Sequence, residues 1–313
     1  MNKYLIFLCL WIAGLLAGCR HLPSGQVVTG QTEKNNHKFR PMILEVETVN
    51  ENTEVFISIA DAYQHKKFDH NCIVTYNLEC VGGKQIKPED SEFIHCMFQT
   101  PGIHNIKLSG NLHGIKLIDH HELAGYDDPY YFTDIQQWGD ISWHDLSYFA
   151  DNCMKLVMTA TDAPDLHETI SIERMLSNTN VNANINHWDV SHVENMSGLL
   201  LGNEVFNQPL DKWNTSNVSN MRNMFLFAKS FNQPIDTWNV SRVTNMEEMF
   251  FAAERFNQPL SSWDVSSVHY MNRMFIGANA FHQDISGWDF SGIEDCLDNR
   301  EYYGEYCITY MFS

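Results

Sequence analysis

One cluster in this chain has the side-chain types that metal binding needs. His120, His121 and Glu122 stand close to Asp127 and Asp128, and imidazole and carboxylate groups are common ligands of transition metals. No helical or hairpin spacing brings two of them to one face, and the stretch has the mixed charge of a solvated linker. We therefore interpret residues 119–135 as a linker and predict no metal site, with a metal centre as the alternative.

The chain lacks the short motifs of known catalytic centres. It contains no Gly-x-Ser-x-Gly turn, no His-Glu-x-x-His helix, no phosphate-binding Gly-Lys-Ser/Thr loop and no dinucleotide fingerprint. Glu247 and Glu248 are paired carboxylates, but adjacent residues of a helix point apart. We predict that the protein is not an enzyme and takes no cofactor.

The charge of the chain weighs against nucleic acid as a partner. The formal net charge is −19, from 20 Lys and Arg against 39 Asp and Glu. A duplex is held by neutralising its phosphates with basic side chains. Adsorption to anionic lipid is disfavoured for the same reason.

The amino-terminal segment has the layout of a secretory signal. One basic residue, Lys3, precedes an apolar run that is too short to span a bilayer. The run ends in Leu-Ala-Gly-Cys19, which resembles a bacterial lipobox. The resemblance implies cleavage after residue 18, a lipid and palmitate-like acyl chains on Cys19, and a tether over residues 19–40. Arg20 favours an outer membrane or cell-surface location; the alternative is an ordinary signal with a coincidental cysteine.

Residues 41–118 carry short, partly alternating runs rich in β-branched residues, bounded by Asn, Gly and Pro. They predict a small antiparallel β-sandwich. The run from Thr100 to Gly110 resembles the last hairpin of PKD-like, immunoglobulin-type modules. The acidic turn typical of those modules is missing, so we carry over no calcium role.

The cysteines leave several disulfide pairings open. Six follow Cys19, and an exported chain permits disulfides among them: Cys72, Cys80, Cys96, Cys153, Cys296 and Cys307. The repeat described below places Cys153 and Cys296 at inward positions. Buried free cysteines are one outcome there, and a Cys296–Cys307 bond that closes the last coil is another.

The carboxyl-terminal half is a repeat with a period of 25 residues. Five tryptophans mark it: Trp188, Trp213, Trp238, Trp263 and Trp288. A fixed period of this length is typical of a solenoid. Within one repeat, Val243, Met246, Met249, Phe250 and Ala253 have a 3-4 spacing that predicts a helix with Ser241 as its N-cap.

The spacing therefore predicts an α+β fold, in which a right-handed, leucine-rich-repeat-like solenoid of strand-helix coils fills residues 136–313 and ends in a cap. Leu260 to Val265 would be the strand of one coil. Equivalent residues of neighbouring coils should touch, because stacked strands lie about 4.8 Å apart. We expect Asn207, Asn232 and Asn257 to bond between loops. The tryptophans should pack on one another, with a glycan-stacking platform as the alternative.

The repeat is similar to a known family. Trp-Asp-Val-Ser-x-Val-x-x-Met-x-x-Met-Phe and Phe-Asn-Gln-Pro-Leu resemble repeats of BspA-type leucine-rich-repeat surface proteins of bacteria, and the likeness covers roughly residues 136–292. It implies a surface lipoprotein that adheres to host matrix proteins or other cells. It supplies no catalytic residues.

We expect a binding or adhesion protein whose partners are host or cell-surface proteins or glycans, with the lipid bilayer holding Cys19. The candidate ligand-binding positions are those that vary between matched repeats: Lys212, Asn217, Arg222, Arg242, Glu247, His269, Tyr270 and Arg273. The alternatives are a passive surface coat or spacer and a glycan-binding module. The sequence does not identify the ligand, the envelope type or the oligomeric state.

Overall fold

The computed structural model describes residues 39–59, 75–86, 93–117, 130–293 and 311–312. Several sequence predictions fall outside these residues. They concern the signal and Cys19, nearly all of the tether, the cluster from His120 to Asp128, and the three cysteines Cys72, Cys296 and Cys307.

The described strands lie mostly in the amino-terminal half. They are β1 (Met42–Thr48), β2 (Thr53–Ile59), β3 (Thr75–Val81), β4 (Lys84–Ile86), β5 (Phe93–Phe98), β6 (Gly102–Asn111), β7 (Ile115–Leu117), β8 (Tyr130–Gln137) and β9 (Val157–Met158). One sheet has the order β3-β6-β1-β8-β9, and the other has the order β4-β5-β2-β7. All neighbours are antiparallel except β8 and β9, which are parallel.

Strand β1 shows why these segments form sheets with one buried face. Met42, Leu44 and Val46 are fully buried, and the residues between them are partly exposed. This period of two matches the alternation of side chains along a strand. β1 pairs with β6 on one side and with β8 on the other, so it is the centre of its sheet.

A disulfide joins the two sheets. Cys80 of β3 bonds Cys96 of β5, 16 residues further along the chain. Closing a loop of this length stabilises a fold by about 3 kcal/mol in the chain-entropy description. The Cys153 side chain is fully buried, as expected for an inward position of the repeat.

The sheets continue directly into the repeats. Residues 130–135, which the sequence assigned to a linker, lie in β8, and β8 pairs with β9 of the first repeat. The Asp134 carboxylate accepts hydrogen bonds from the backbone N–H of Thr159 at 2.8 Å and from its hydroxyl at 2.6 Å. Buried side chains of both parts form one continuous apolar core.

The predicted strand-helix solenoid is wrong. None of the described residues is in a helix, and β9 is the only regular strand within described residues 138–293. Residues 247–252 form successive turns, and Leu260 to Val265 is a turn between irregular segments rather than a strand. Ser241 caps no helix: its backbone N–H donates to the side-chain oxygen of Asn239 at 3.1 Å.

The backbone bonding explains why no helix forms. From residue 246 to 252, alternate N–H groups donate to carbonyls of the next repeat at 2.7–3.0 Å, for example Phe250 to Met274. Of the amides between them, those of Met249 and Phe251 donate to the carbonyl of the third residue before, and that of Glu247 donates to the side-chain oxygen of Asn245. A helix needs every amide to reach the carbonyl four residues back. The apolar 3-4 spacing therefore belongs to consecutive turns, and these turns bury their apolar side chains on the same side of the chain.

Single parallel bridges hold the repeats in register. They join the positions Asp145, Ser171, Asn195, Asn220, Asn245 and Tyr270 in succession. The turn that follows each bridge contains two backbone conformations with positive φ, such as Glu248 at 54° and Ala252 at 53°. The left-handed region costs a non-glycine residue of order 1 kcal/mol, and glycine occupies the equivalent positions 198, 202 and 277.

Aromatic columns fill the interior of the stack. Trp213 lies 6.2 Å from Trp238 with nearly parallel rings, and Phe225 lies 5.5 Å from Phe250. The indole N–H of Trp238 donates to the carbonyl of Leu210 at 2.9 Å, so burial leaves no unpaired donor there. The prediction that the tryptophans pack is confirmed.

The asparagine prediction is also confirmed. The side-chain oxygen of Asn232 accepts from the backbone N–H of Asn257 at 2.9 Å and from the amide of Gln258 at 2.9 Å. Asn207 makes the same contacts with Asn232 and Gln233. Each asparagine therefore ties its own loop to the loop of the next repeat.

We predict that Gly139→Ala lowers the free energy of unfolding by more than about 2 kcal/mol. Gly139 has φ 73°, and a Cβ there would lie 2.5 Å from the backbone carbonyl oxygen of Arg40, where β8 meets the first repeat. Urea denaturation measures the change. Gly287→Ala is the matched control, since its Cβ meets nothing within 4 Å. Equal stability of the two variants would contradict this account of the junction.

Candidate binding surface

The turns after each bridge form one outer face of the stack, which we call the turn face. Its turns recur with the repeat and span residues 197–202, 222–227, 247–252 and 272–277, and only some side chains of each turn face outward, since two in the middle of each turn, such as Met249 and Phe250, are buried. Because the tryptophan, phenylalanine and methionine columns are buried, the side chains that remain available for contact are those at positions like these.

An apolar stripe crosses the turn face. It consists of Leu201, Leu226, Phe251 and Ile276, one from each of four consecutive repeats, and all four are partly exposed. We number these repeats rungs 1 to 4 in that order. Phe227 lies beside the stripe with 43% of its surface exposed, and its ring contacts Phe251 edge-on at 5.6 Å.

Ion pairs between successive rungs border the stripe. Arg222 lies 2.9 Å from Glu247, and Arg273 lies 2.5 Å from Glu248. The Arg273 guanidinium also stands 4.9 Å from the centre of the Phe251 ring. The arginines remain about half exposed, so each pair contributes little to stability and stays accessible to a partner.

The structure brings together only part of the predicted binding set. Arg222, Glu247, Tyr270 and Arg273 lie on or beside the turn face, with His269 next to Tyr270. The other three predicted residues are exposed elsewhere on the repeats: Lys212, Asn217 and Arg242. Of these, Arg242 donates to the side-chain oxygen of Asn217 at 2.7 Å, whereas Lys212 follows a different turn.

The repeat region matches one family model, described as "Mycoplasma protein of unknown function, DUF285", over residues 144–240 and 211–301. The two matches together cover just over half of the chain. The chain belongs to the DUF285 family. No curated protein and no solved structure matches it.

The first DUF285 repeats border a shallow depression of about 180 Å³, which adjoins Leu201 at the rung 1 end of the stripe. Tyr148, Glu173, Arg174 and Arg222 are among its lining residues. The Tyr148 hydroxyl donates to Glu173 at 2.8 Å. Burial, with the adjacent Glu173 carboxylate, raises the pKa of Tyr148 to about 12. Arg174 pairs with Asp151 and Arg222 pairs with Glu247. A tyrosine with this pKa is neutral at physiological pH and is therefore a poor base.

Histidine and carboxylate side chains meet where the sheets join the DUF285 repeats. His144 lies 2.5 Å from Glu168, and His167 lies 2.5 Å from Asp165. The hydrogen bond that the His167 ring donates to the Asp165 carboxylate raises the pKa of His167 above its ordinary value. Within the described ranges, no three His, Cys, Asp or Glu are arranged to hold a metal ion. These histidines and carboxylates therefore form pairs at the surface.

The sequence reading missed the stripe and the end of the DUF285 stack. Leucine, phenylalanine and isoleucine at 25-residue spacing were the available signal for the stripe, but the helical interpretation assigned the outer face to polar residues. The last contact is made by Met311 and Phe312: the Met311 carbonyl accepts from Phe275 N–H at 2.8 Å, and Phe312 stacks on Phe275 at 5.4 Å. They take the places that Met274 and Phe275 hold one repeat earlier.

The described part of the chain also contains no helix long and apolar enough to cross a membrane.

We predict weak iodide quenching of tryptophan fluorescence in the folded chain from residue 20 onward. One of the eight tryptophans is Trp11, and the other seven are at most 6% exposed. The quenching constant should rise several-fold in 8 M urea, because unfolding gives iodide access to the indoles. Quenching of the folded protein as strong as that of the unfolded chain would mean that the indoles form an open platform for glycans.

Proposed function

We propose that the protein is a lipid-anchored binding protein of a bacterial cell surface, and that its turn face contacts proteins of a host or of other cells. The observation that carries this proposal is the apolar stripe with Arg222 and Arg273 beside it. Partly exposed aromatic and arginine side chains are the groups that most often dominate the energy of a protein interface. A contiguous exposed apolar patch on a soluble domain also favours a contact role.

The burial of the repeated side chains supports binding through an outer surface. The tryptophan and phenylalanine columns are buried, and the indole N–H groups of Trp213, Trp238, Trp263 and Trp288 donate to backbone carbonyls within the stack. On the turn face, side-chain type changes from rung to rung while the backbone keeps the same conformation. Such variation on a constant scaffold suits recognition of an irregular protein surface.

The proposed anchor places this face away from the membrane. Residues 19–40 would span at most about 70 Å when extended. The tether ends at Arg40, whose backbone carbonyl accepts from Asp140 N–H at 3.0 Å and whose side chain pairs with the same Asp140 at 2.9 Å. The lipid anchor would thus be connected to the chain at the junction between sheets and repeats, and the turn face would stay accessible to a partner.

We predict saturable binding of the chain from residue 20 onward to one class of matrix protein, glycan or whole cell, measured on immobilised protein. Arg273→Ala should weaken it at least tenfold, because Arg273 lies on the stripe. Arg242→Ala is the matched control, since that arginine bonds Asn217 outside the turn face. Binding to no class would support the passive coat, and binding to glycans that Arg273→Ala does not weaken would support a glycan module.

We predict that labelled palmitate is incorporated into the chain in bacteria and that Cys19→Ser abolishes the label. The same change should release the protein from the membrane fraction, because the acyl chains on Cys19 would be its anchor. Cys9→Ser is the matched control within the leader and should keep the label. Membrane retention of unlabelled Cys19→Ser protein at the wild-type level would overturn the anchoring proposal.

A further inference from the structure

The charges beside the apolar stripe alternate in sign from rung to rung. We compare only the turn of each rung and the three residues that follow it, residues 197–205, 222–230, 247–255 and 272–280. In these segments rung 1 carries Glu204, rung 2 carries Arg222 and Lys229, and rung 4 carries Arg273. Rung 3 is net acidic there, with Glu247, Glu248, Glu254 and Arg255. The order along the stack is therefore acidic, basic, acidic, basic.

When all four rungs of each copy are paired, this order is complementary to itself only if one copy is reversed. If two stacks face each other in the same direction, every rung meets a rung of like charge. If one stack is turned around a two-fold axis between rungs 2 and 3, rung 1 meets rung 4 and rung 2 meets rung 3. Each of these contacts joins opposite charges. A two-fold axis makes the same patch serve both partners, and like charges held together cost several kcal/mol.

The apolar side chains sit where this axis would pass. Leu226 and Phe251 belong to rungs 2 and 3, and Phe227, the most exposed of the group at 43%, lies beside them. Aromatic side chains at the centre of a patch with charges around them match the anatomy of protein interfaces. The polar border here is the set of ion pairs between rungs, in which the arginines are about half exposed and Glu247 and Glu248 are 22% and 15% exposed.

We propose that two copies of the chain dock antiparallel through the apolar stripe, with rung 2 of each copy against rung 3 of the other. The proposal takes the turn face as the working surface, as in the proposed function, and names a second copy as its partner. On facing cells, or on one cell, the lipid-anchored protein would thereby bind itself.

Sedimentation equilibrium of the chain from residue 20 onward tests the docking. We expect a dimer whose dissociation constant rises with salt, because the bordering charges are exposed. Phe227→Asp should raise the dissociation constant at least tenfold. The change should leave the fold intact, since the side chain is exposed and aspartate tolerates the positive φ of 56° at this position. Ile170→Asp is the matched control, an equally exposed apolar residue at 46% outside the four rungs, and it should stay dimeric.

A charge exchange tests the antiparallel register. One variant carries Arg222→Glu with Lys229→Glu, and a second carries Glu247→Lys with Glu254→Lys. Each variant alone should be monomeric, because rung 2 and rung 3 would then have like charge. An equimolar mixture should form a heterodimer, since the reversed rungs are again opposite. Thermal denaturation of each variant checks that it is folded.

Two results would overturn the docking proposal. One is a wild-type chain that stays monomeric at 100 µM, and the other is a dimer that Phe227→Asp does not weaken. A monomeric chain that still binds matrix or cell proteins through Arg273 would leave the proposed function standing without self-association. A dimer that binds nothing else would leave self-association standing and restrict the function to it.

Discussion

The fold depends on backbone hydrogen bonds that run between repeats rather than within them. In each turn after a bridge, alternate amides donate to the carbonyls of the following repeat, as Phe250 does to Met274. A single repeat would leave those amides unpaired, and a buried unpaired amide costs about as much as a lost hydrogen bond. The repeats therefore need one another, and the sheets at the amino-terminal end supply the first partner through β8 and β9.

The same bonding defines the outer surface. To aim alternate amides at the next repeat, the chain takes positive φ at two positions per turn, and residues such as Glu248 and Arg273 accept this conformation. Their side chains are carried outward at a fixed spacing, so charges of neighbouring rungs come within bonding distance. The backbone thus determines where the charges and the apolar side chains of the turn face lie. The residue type on each rung determines the specificity of the face.

The sequence predicted the side-chain columns better than the backbone between them. Trp238 and Asn232 recur every 25 residues, and exact recurrence requires that equivalent side chains meet, whatever the local conformation. The spacing of Val243, Met246 and Phe250 was misleading because successive turns and a helix bury the same positions. The neighbouring repeat determines the carbonyl to which each amide donates, so the local sequence pattern does not predict these hydrogen bonds. Of the candidate site, the variable positions included Arg222 and Arg273 but not Phe251, since the helical interpretation assigned the outer face to polar residues.

Through-hydrogen-bond NMR coupling at Phe250 tests the central claim most directly. In deuterated, isotope-labelled protein, the amide nitrogen of Phe250 should couple to the carbonyl carbon of Met274, because its N–H donates to that oxygen at 2.9 Å. A helix over the same residues would instead couple Phe250 to Met246. Coupling to Met274 supports repeats joined by their backbones, and coupling to Met246 would contradict the account.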